Sequence, residues 1–414
     1  MNLMLDSGSP SLYNILVRTK KTKGLMGSFL KDRINDTFEY LDSKEYLDYK
    51  KAYIDFIIKN KEYFDVYVNL DIINNAKATW ENQLELESYG LKPIPVFHFG
   101  SDMKWLYKYL DKGYEYIAMG GFIPNPVSVL QPFLDDLWSN VLCDRNGIPT
   151  VKVHGFAVTS ARLVARYAWY SVDSTSWAKI GIYGAITIPR IKNGAWTYDE
   201  SPHIFFTSNK SKAQNEVDGK HINTVTDVER KYILQFLKEN NVPLGKSSFK
   251  KEKQSDGYEP KENERWVDLK TKDEIEIIEE QGVSNMFELR NKINLLFFIN
   301  LQKSRLDWPF AFKRTIAGFG LDGNPRNEIS KFSSFKENWR LYVAGENPHG
   351  VDPNTPRGKS DRDIHDFIES QGIEMNRLVS FFYKSSVLRN IELKKELLEE
   401  EKGEGKKRRT TKNS

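Results

Sequence analysis

The feature that most constrains this chain is a rhythm in its first half. Short apolar runs alternate with longer amphipathic or polar stretches, and each run ends in a small or polar residue. The runs are residues 3–5 before Asp6, 66–70 before Asp71, 94–97 before His98, 116–119 before Gly120, 151–153 before His154 and 170–172 before Asp173. Buried parallel strands read as continuous apolar segments, and the stretches between them read as crossover helices, so the rhythm predicts repeated βαβ units. Such units build either a doubly wound sheet or a closed barrel, and both bind ligands at the strand C-termini. With no G-x-G-x-x-G among these runs and no P-loop to cradle a nucleotide phosphate, a TIM-like (β/α) barrel is the expected fold. Six runs fall two short of eight, so an incomplete or irregular barrel is allowed for; segments 180–188 and 203–206 are the candidates to complete it.

The intervening stretches carry helix signals. Residues 45–59 and 79–89 have polar faces, 102–112 contains Trp105, Tyr107 and Leu110, and Asn125-Pro126 offers a start for a helix through Leu142. Thr159 or Ser160 would cap a short helix before Asp173. Beyond about residue 210 the rhythm stops. The expected organisation is a catalytic barrel over 1–210, a helix (227–239) and polar linker over 211–265, and a mainly helical C-terminal region over 266–400. That last region holds an apolar helix at 286–302, a pair of amphipathic helices at 361–390 and a charged one at 393–401, before a basic disordered tail at 401–414.

Lys and Arg exceed Asp and Glu by four, which permits a polyanionic partner without requiring one. Lys406-Lys407-Arg408-Arg409 could track a phosphate backbone or simply be a solvated terminus. Cys143 is the only cysteine, excluding an internal disulfide and any multi-cysteine zinc site. No run approaches the roughly eighteen apolar residues of a membrane helix, and no signal pattern opens the chain, so a cytoplasmic protein is expected.

Three strand-end carboxylates carry the chemical argument. Asp6, in Asp6-Ser7-Gly8, suits a general base beside a glycine that lets backbone approach a ligand; a turn cap is the alternative. Asp173 is delivered into the polar stretch Ser174-Thr175-Ser176 with Trp177 as a wall or stacking residue, as a nucleophile would be. Asp71 is the third. His98 and His154 stand at the same level, and a metal site made with the aspartates is the weaker reading because no ligand spacing supports it. Gly120-Gly121 would let main-chain groups face a planar ligand, or form a plain turn.

The ordered set resembles the tRNA-guanine transglycosylase superfamily, and more closely its DNA-directed branch, the 7-deazaguanine DNA transglycosylases of phages and bacterial DNA-modification clusters. The resemblance covers roughly residues 1 to 190. Asp6-Ser7-Gly8 looks like the motif whose Asp is the general acid/base. Asp71 falls where a second Asp reads the guanine edge, His98-Phe99-Gly100 where a Gln-Gly pair contacts the base, and Ala118-Met119-Gly120-Gly121 where a glycine-rich strand end touches it. Val172-Asp173-Ser174 matches the strand bearing the nucleophile.

Four departures accompany it. One cysteine cannot make the three-Cys, one-His zinc site of the tRNA enzymes, Ser9 and Pro10 replace a Gly and a Phe, His98 replaces Gln, and only five residues precede Asp6 where the family has a longer lead-in. The resemblance implies replacement of guanine in DNA by a 7-deazaguanine through a covalent aspartyl intermediate, without a cofactor. Asp173 and Asp6 would be catalytic, and Asp71, His98, Gly120, Gly121, Ser7 and His154 would bind substrate. A flipped-out target base is implied, with phosphates held by basic side chains such as Arg162, Arg166, Lys179 and Arg190. The alternatives are tRNA as the substrate, a barrel hydrolase acting on a nucleoside or glycoside, and a non-enzymatic nucleic-acid-binding protein.

Overall fold

In the computed structural model, the structure describes residues 2–9, 41–73, 75–123, 125–158, 160–211 and 219–312. It also describes the strand backbones 340–344 and 377–381, and the helical residues 388, 391–392, 394–396 and 398–399. It is mixed α/β and divides into two compact units: residues 1–174 with 306–414, and residues 175–305.

The first unit follows the predicted rhythm. Its elements are β1 (Asn2–Asp6), α1 (Lys44–Asn60), β2 (Val66–Tyr67), α2 (Ala76–Ser88), β3 (Val96–His98), α3 (Lys104–Asp111) and β4 (Tyr116–Gly120). They continue with α4 (Val127–Asn140), β5 (Lys152–Gly155), α5 (Ala161–Arg166) and β6 (Ser171–Ser174). Helix α1 begins where the Ser43 hydroxyl accepts from Tyr46 N (3.3 Å), and it buries Tyr46, Tyr53, Ile54 and Ile57 as one stripe. Helix α2 begins at Asn75, whose side chain accepts from Ala78 N at 3.0 Å. Helix α4 takes Pro126 as its N-cap, one position earlier than the expected first-turn proline.

The strands lie in one parallel sheet with two more that the sequence reading did not find. The second half of the chain supplies β14 (Arg340–Ala344) and β15 (Arg377–Phe381), in strand order β2-β1-β15-β14-β6-β5-β4-β3. β14 pairs with β6 from Arg340↔Ser171 to Val343↔Ser174, and β15 pairs with β1 from Asn2↔Arg377 to Asp6↔Phe381. A parallel bridge also joins Val68 to Ile94, just past β2 and just before β3.

One face of the sheet carries an apolar cluster of Met4, Val68, Ile94, Val96 and Ala118, against which Val66, Tyr116 and Phe156 pack. Because side chains alternate along a strand, Asp6 shares a face with Met4, His98 with Val96, and Gly120 with Ala118. Late in the chain, Lys394 reaches Asp65 (2.8 Å), which also accepts from the Leu3 amide at 2.6 Å, tying this helical segment to the start of β1.

The second unit contains α6 (Ser176–Ile182), β7 (Ala185–Ile188), β8 (Arg190–Lys192), β9 (Ala195–Thr197), β10 (His203–Phe206) and α7 (Asp227–Glu239). It ends with β11 (Lys246–Lys250), β12 (Glu264–Trp266), β13 (Ile275–Glu280) and α8 (Phe287–Lys303). Helix α7 carries a full capping box, Thr226 with Glu229. In α8 the buried Asn294 amide accepts from Thr187 N (2.7 Å) and donates to the carbonyls of Trp177 (3.0 Å) and Ala185 (3.2 Å), binding helix to strand through satisfied polar groups. The buried carboxylate of Glu276 is met by Arg265 (2.9 Å) and the Ser247 hydroxyl (3.0 Å).

Several expectations are corrected. Segments 180–188 and 203–206 do not join the parallel sheet; β7 and β10 pair antiparallel with each other. The division falls after residue 174, not at 210. The expected linker 211–265 holds β11 and β12, which pair antiparallel with β13; they are half-exposed and polar, so no apolar run marked them.

The expected mainly helical region 266–400 contributes β13 and α8 to the second unit, and β14 and β15 to the first. Residues 377–381, assigned above to an amphipathic helix, form a strand; a short run containing Val and Phe suits a strand once neighbours satisfy its backbone. The rest of 361–390 apart from residue 388, and the tail, lie outside the described residues.

Candidate functional site

The sequence-predicted residues stand at the same ends of strands in one parallel sheet: Asp6 closes β1, His98 β3, Gly120 β4, and Asp173 is the last residue but one of β6. They are also buried. Asp6, Asp71, His98 and Asp173 are each under a tenth exposed, and Ser7 and His154 are fully inside. A buried carboxylate needs partners, and the partners divide the site into two groups.

The first group surrounds Asp71. Ser7 Oγ donates to Asp71 Oδ1 at 3.0 Å, and His98 Nε2 lies 2.8 Å from Asp71 Oδ2. The Ser9 hydroxyl donates to the Asp71 carbonyl. The segment carrying Asp71 is pinned from α2: Asn82 donates to Leu70 O (2.7 Å), Asn69 to Thr79 O (2.7 Å), and the Thr79 hydroxyl accepts from Ile72 N at 2.9 Å. On β1, Gly8 adopts φ 71°, which a side chain would strain, and its N–H turns back to Asp6 Oδ1 at 3.2 Å. Tyr49 fixes the loop by donating to Ser7 O at 2.6 Å.

The second group surrounds Asp173. Its Oδ1 accepts from the Ala157 amide at 2.6 Å. Ala157 has φ 54°, a left-handed conformation that costs a non-glycine residue about 1 kcal/mol, so the amide is aimed at some expense. Burial pushes the Asp173 carboxyl up to about 6, partly offset by backbone N–H groups including that of Ala157. His154 Nε2 lies 3.7 Å from the same oxygen, and burial pushes this imidazole down to about 3, so the ring is neutral and the contact is not an ion pair. His154 Nδ1 meets Ser171 Oγ at 2.6 Å, and Ser171 Oγ meets the Tyr116 hydroxyl at 2.5 Å.

Gly120 lies between the groups. A Cβ there would come 3.3 Å from His98 and 3.6 Å from Phe156, whose ring packs edge-on to His154 with centroids 4.6 Å apart. Gly121 has φ 76° and would place a Cβ 3.2 Å from Phe99 N, so both glycines permit close approach of the β3 and β4 termini.

Other candidates sit elsewhere. Arg166 is committed to Asp135 through two hydrogen bonds (2.7 and 3.0 Å), which argues against the phosphate-gripping role considered for it. Arg190 donates to Ser201 O, and Trp177 is buried in the second unit. His98 and His154 address different carboxylates, and among the described residues no three His, Cys, Asp or Glu groups are placed to hold a metal ion. Among those residues no helix is long and apolar enough to cross a membrane.

Sequence reasoning missed Ala157, Ser171 and Tyr116. Ser171 had a signal, a polar residue inside an apolar strand at the same parity as Asp173; Ala157 acts through its backbone and had none. Comparison with family models, curated proteins and solved structures finds no match.

Proposed function

We propose that the parallel sheet closes into a (β/α) barrel and that its C-terminal rim exchanges guanine in DNA for a 7-deazaguanine. Closure is supported by the strand order and by the Val68↔Ile94 bridge, where Asn69 N donates to Ile94 O (2.9 Å) and Ile94 N to Tyr67 O (2.8 Å), linking the two outer strands. The observation that carries the functional reading is the placement of Asp6, Asp71, His98, Gly120 and Asp173, in this order, at one end of a parallel sheet. Asp173 is the desolvated member.

With Oδ1 held by Ala157, Oδ2 of Asp173 attacks C1′ of the target nucleoside. The C1′–N9 bond breaks, and protonated Asp6 gives its proton to N9 of the departing guanine. Asp6, now ionised, takes the N9 proton of the incoming 7-deazaguanine. That nitrogen attacks C1′, the ester bond breaks, and Asp173 leaves as carboxylate. Two displacements retain configuration, and the proton account closes with no cofactor. Asp71 accepts from the N1–H and amino group of the guanine edge, beside His98. The target base must be flipped out of the stack to reach the rim.

DNA is preferred to tRNA because a single cysteine cannot form the zinc site of the tRNA enzymes, and the reaction is placed in the cytoplasm, of the host if the chain is phage-encoded. The test offers labelled guanine with duplex DNA or tRNA and probes for a denaturant-stable protein–nucleic acid adduct. Incorporation into DNA with an adduct that Asp173→Asn abolishes is the expected result. Incorporation into tRNA alone changes the substrate, and release of free base without incorporation makes the protein a hydrolase.

A further inference from the structure

Behind Asp173 runs a chain of polar groups on three adjacent strands: the Tyr116 hydroxyl on β4, Ser171 Oγ on β6 and the His154 imidazole on β5. The successive separations are 2.5 and 2.6 Å, and the far ring nitrogen ends 3.7 Å from Asp173 Oδ1. Resting on the nucleophile assignment above, we propose that Ser171 and His154 are positioning residues that orient Asp173 and stabilise its charge as it forms and leaves the glycosyl ester.

Ser171 and His154 are fully buried, and His154 stands opposite Ala118 of the apolar cluster, so they stand there at a solvation cost that packing alone does not require. The contacts allow either direction, and the proposal takes the one in which Tyr116 O–H donates to Ser171 Oγ and Ser171 O–H donates to His154 Nδ1. The single ring proton of a neutral imidazole is then on Nε2, the nitrogen that faces the carboxylate. At 3.7 Å this is a charge–dipole contact rather than a hydrogen bond.

Burial keeps the ring neutral, which matters to the chemistry. An imidazolium would pair with Asp173 and quench it, whereas an N–H dipole supports the carboxylate in attack and again as it departs. Ala157 holds the same oxygen from the main chain, so a backbone donor and a side-chain dipole fix one oxygen while the other forms the bond. Asp173 is an ester in the intermediate, so the relay acts on the steps that make and break that ester and not on base binding.

The test measures kcat and KM for base exchange, with thermal melting as the check on folding. His154→Leu keeps the packing and loses the dipole, and lowers kcat about 10- to 100-fold with KM changed less than about twofold, as loss of an orienting partner does. His154→Gln, whose amide N–H can stand near the Nε2–H position, recovers most of that loss. Ser171→Ala costs about tenfold and Tyr116→Phe about threefold, also in kcat.

The proposal is overturned if His154→Leu leaves kcat within about twofold of wild type, if Gln is no better than Leu, or if the losses lie in KM. Should His154→Leu fail to fold, unchanged kcat in both Ser171→Ala and Tyr116→Phe overturns it. Adduct formation by Asp173→Asn is read separately; an intact adduct removes the nucleophile, and the relay with it.

Discussion

Asp71, in the segment after β2, and Asp173, at the end of β6, are buried carboxylates, 8 % and 5 % exposed, and they are held in opposite ways. Asp71 is gripped through both oxygens by side chains, Ser7 and His98, and its main chain is pinned from α2. Asp173 meets a backbone amide and a neutral ring, and its carboxyl is pushed up to about 6 by desolvation. A carboxylate bound by side-chain donors in a fixed array is suited to reading a partner's donors; one desolvated and held mainly by the backbone is suited to bond formation. Under the proposed function, the contrast separates recognition from reaction at one end of the sheet.

The largest effect that tests this division is the loss of exchange in Asp173→Asn, expected at about 10⁴-fold or more, because the amide cannot form the glycosyl ester. Adduct formation should vanish with it while binding of DNA, measured by fluorescence anisotropy, stays within about threefold. Asp71→Asn should behave differently. Replacing an acceptor by a donor mispairs the guanine edge and lowers kcat/KM about 100-fold, the scale of a charge-assisted hydrogen bond. The adduct should still form at high DNA concentration. If the two variants lose the same step, the division of labour is wrong.

The sequence made the strand ends legible and concealed how the sheet is completed. Strand-end residues announce themselves because each closes a short continuous apolar run, as Asp6 follows residues 3–5 and His98 follows residues 94–97. β14 and β15 were hidden because a compact unit intervenes, and because a five-residue segment suits helix or strand until neighbours are known. β11 and β12 were hidden for another reason: small half-exposed strands keep polar sequences. Of the groups around Asp173, Ser171 was readable from its parity; the Ala157 amide was not, since any residue supplies an N–H.

A smaller effect follows from titration. With a carboxyl pushed up to about 6, exchange should decline as pH falls through 6, about tenfold per pH unit below it, because only the ionised group attacks. Stability runs the other way. The folded value lies above the ordinary 3.8, so the protonated group favours the fold; that contribution is complete below about 3.8 and is lost as pH rises through 6. The elevation corresponds to at most about 3 kcal/mol at neutral pH. Asp173→Asn should therefore melt above wild type at pH 7.5, with the gap closing towards pH 4. A variant less stable than wild type at pH 7.5 would mean that Asp173 is held by stronger partners than burial opposes.

The smallest effect probes the scaffold behind Asp71. The Thr79 hydroxyl accepts from Ile72 N at 2.9 Å and lies 2.9 Å from Asn75 O, so it clamps the segment from Asp71 to the start of α2. Thr79→Val keeps the shape and leaves the buried Ile72 N–H without that acceptor, which should cost about 1–3 kcal/mol in chemical denaturation. Because Ile72 follows Asp71 directly, the loosened segment should also weaken guanine recognition, raising KM about threefold while kcat holds. The hydrogen bonds of this clamp run within residues 72–79 and involve neither β5 nor β6. A Thr79→Val variant that lost kcat instead would show that Asp71 and Asp173 are mechanically one unit, and the two carboxylates would no longer be separable by the way each is held.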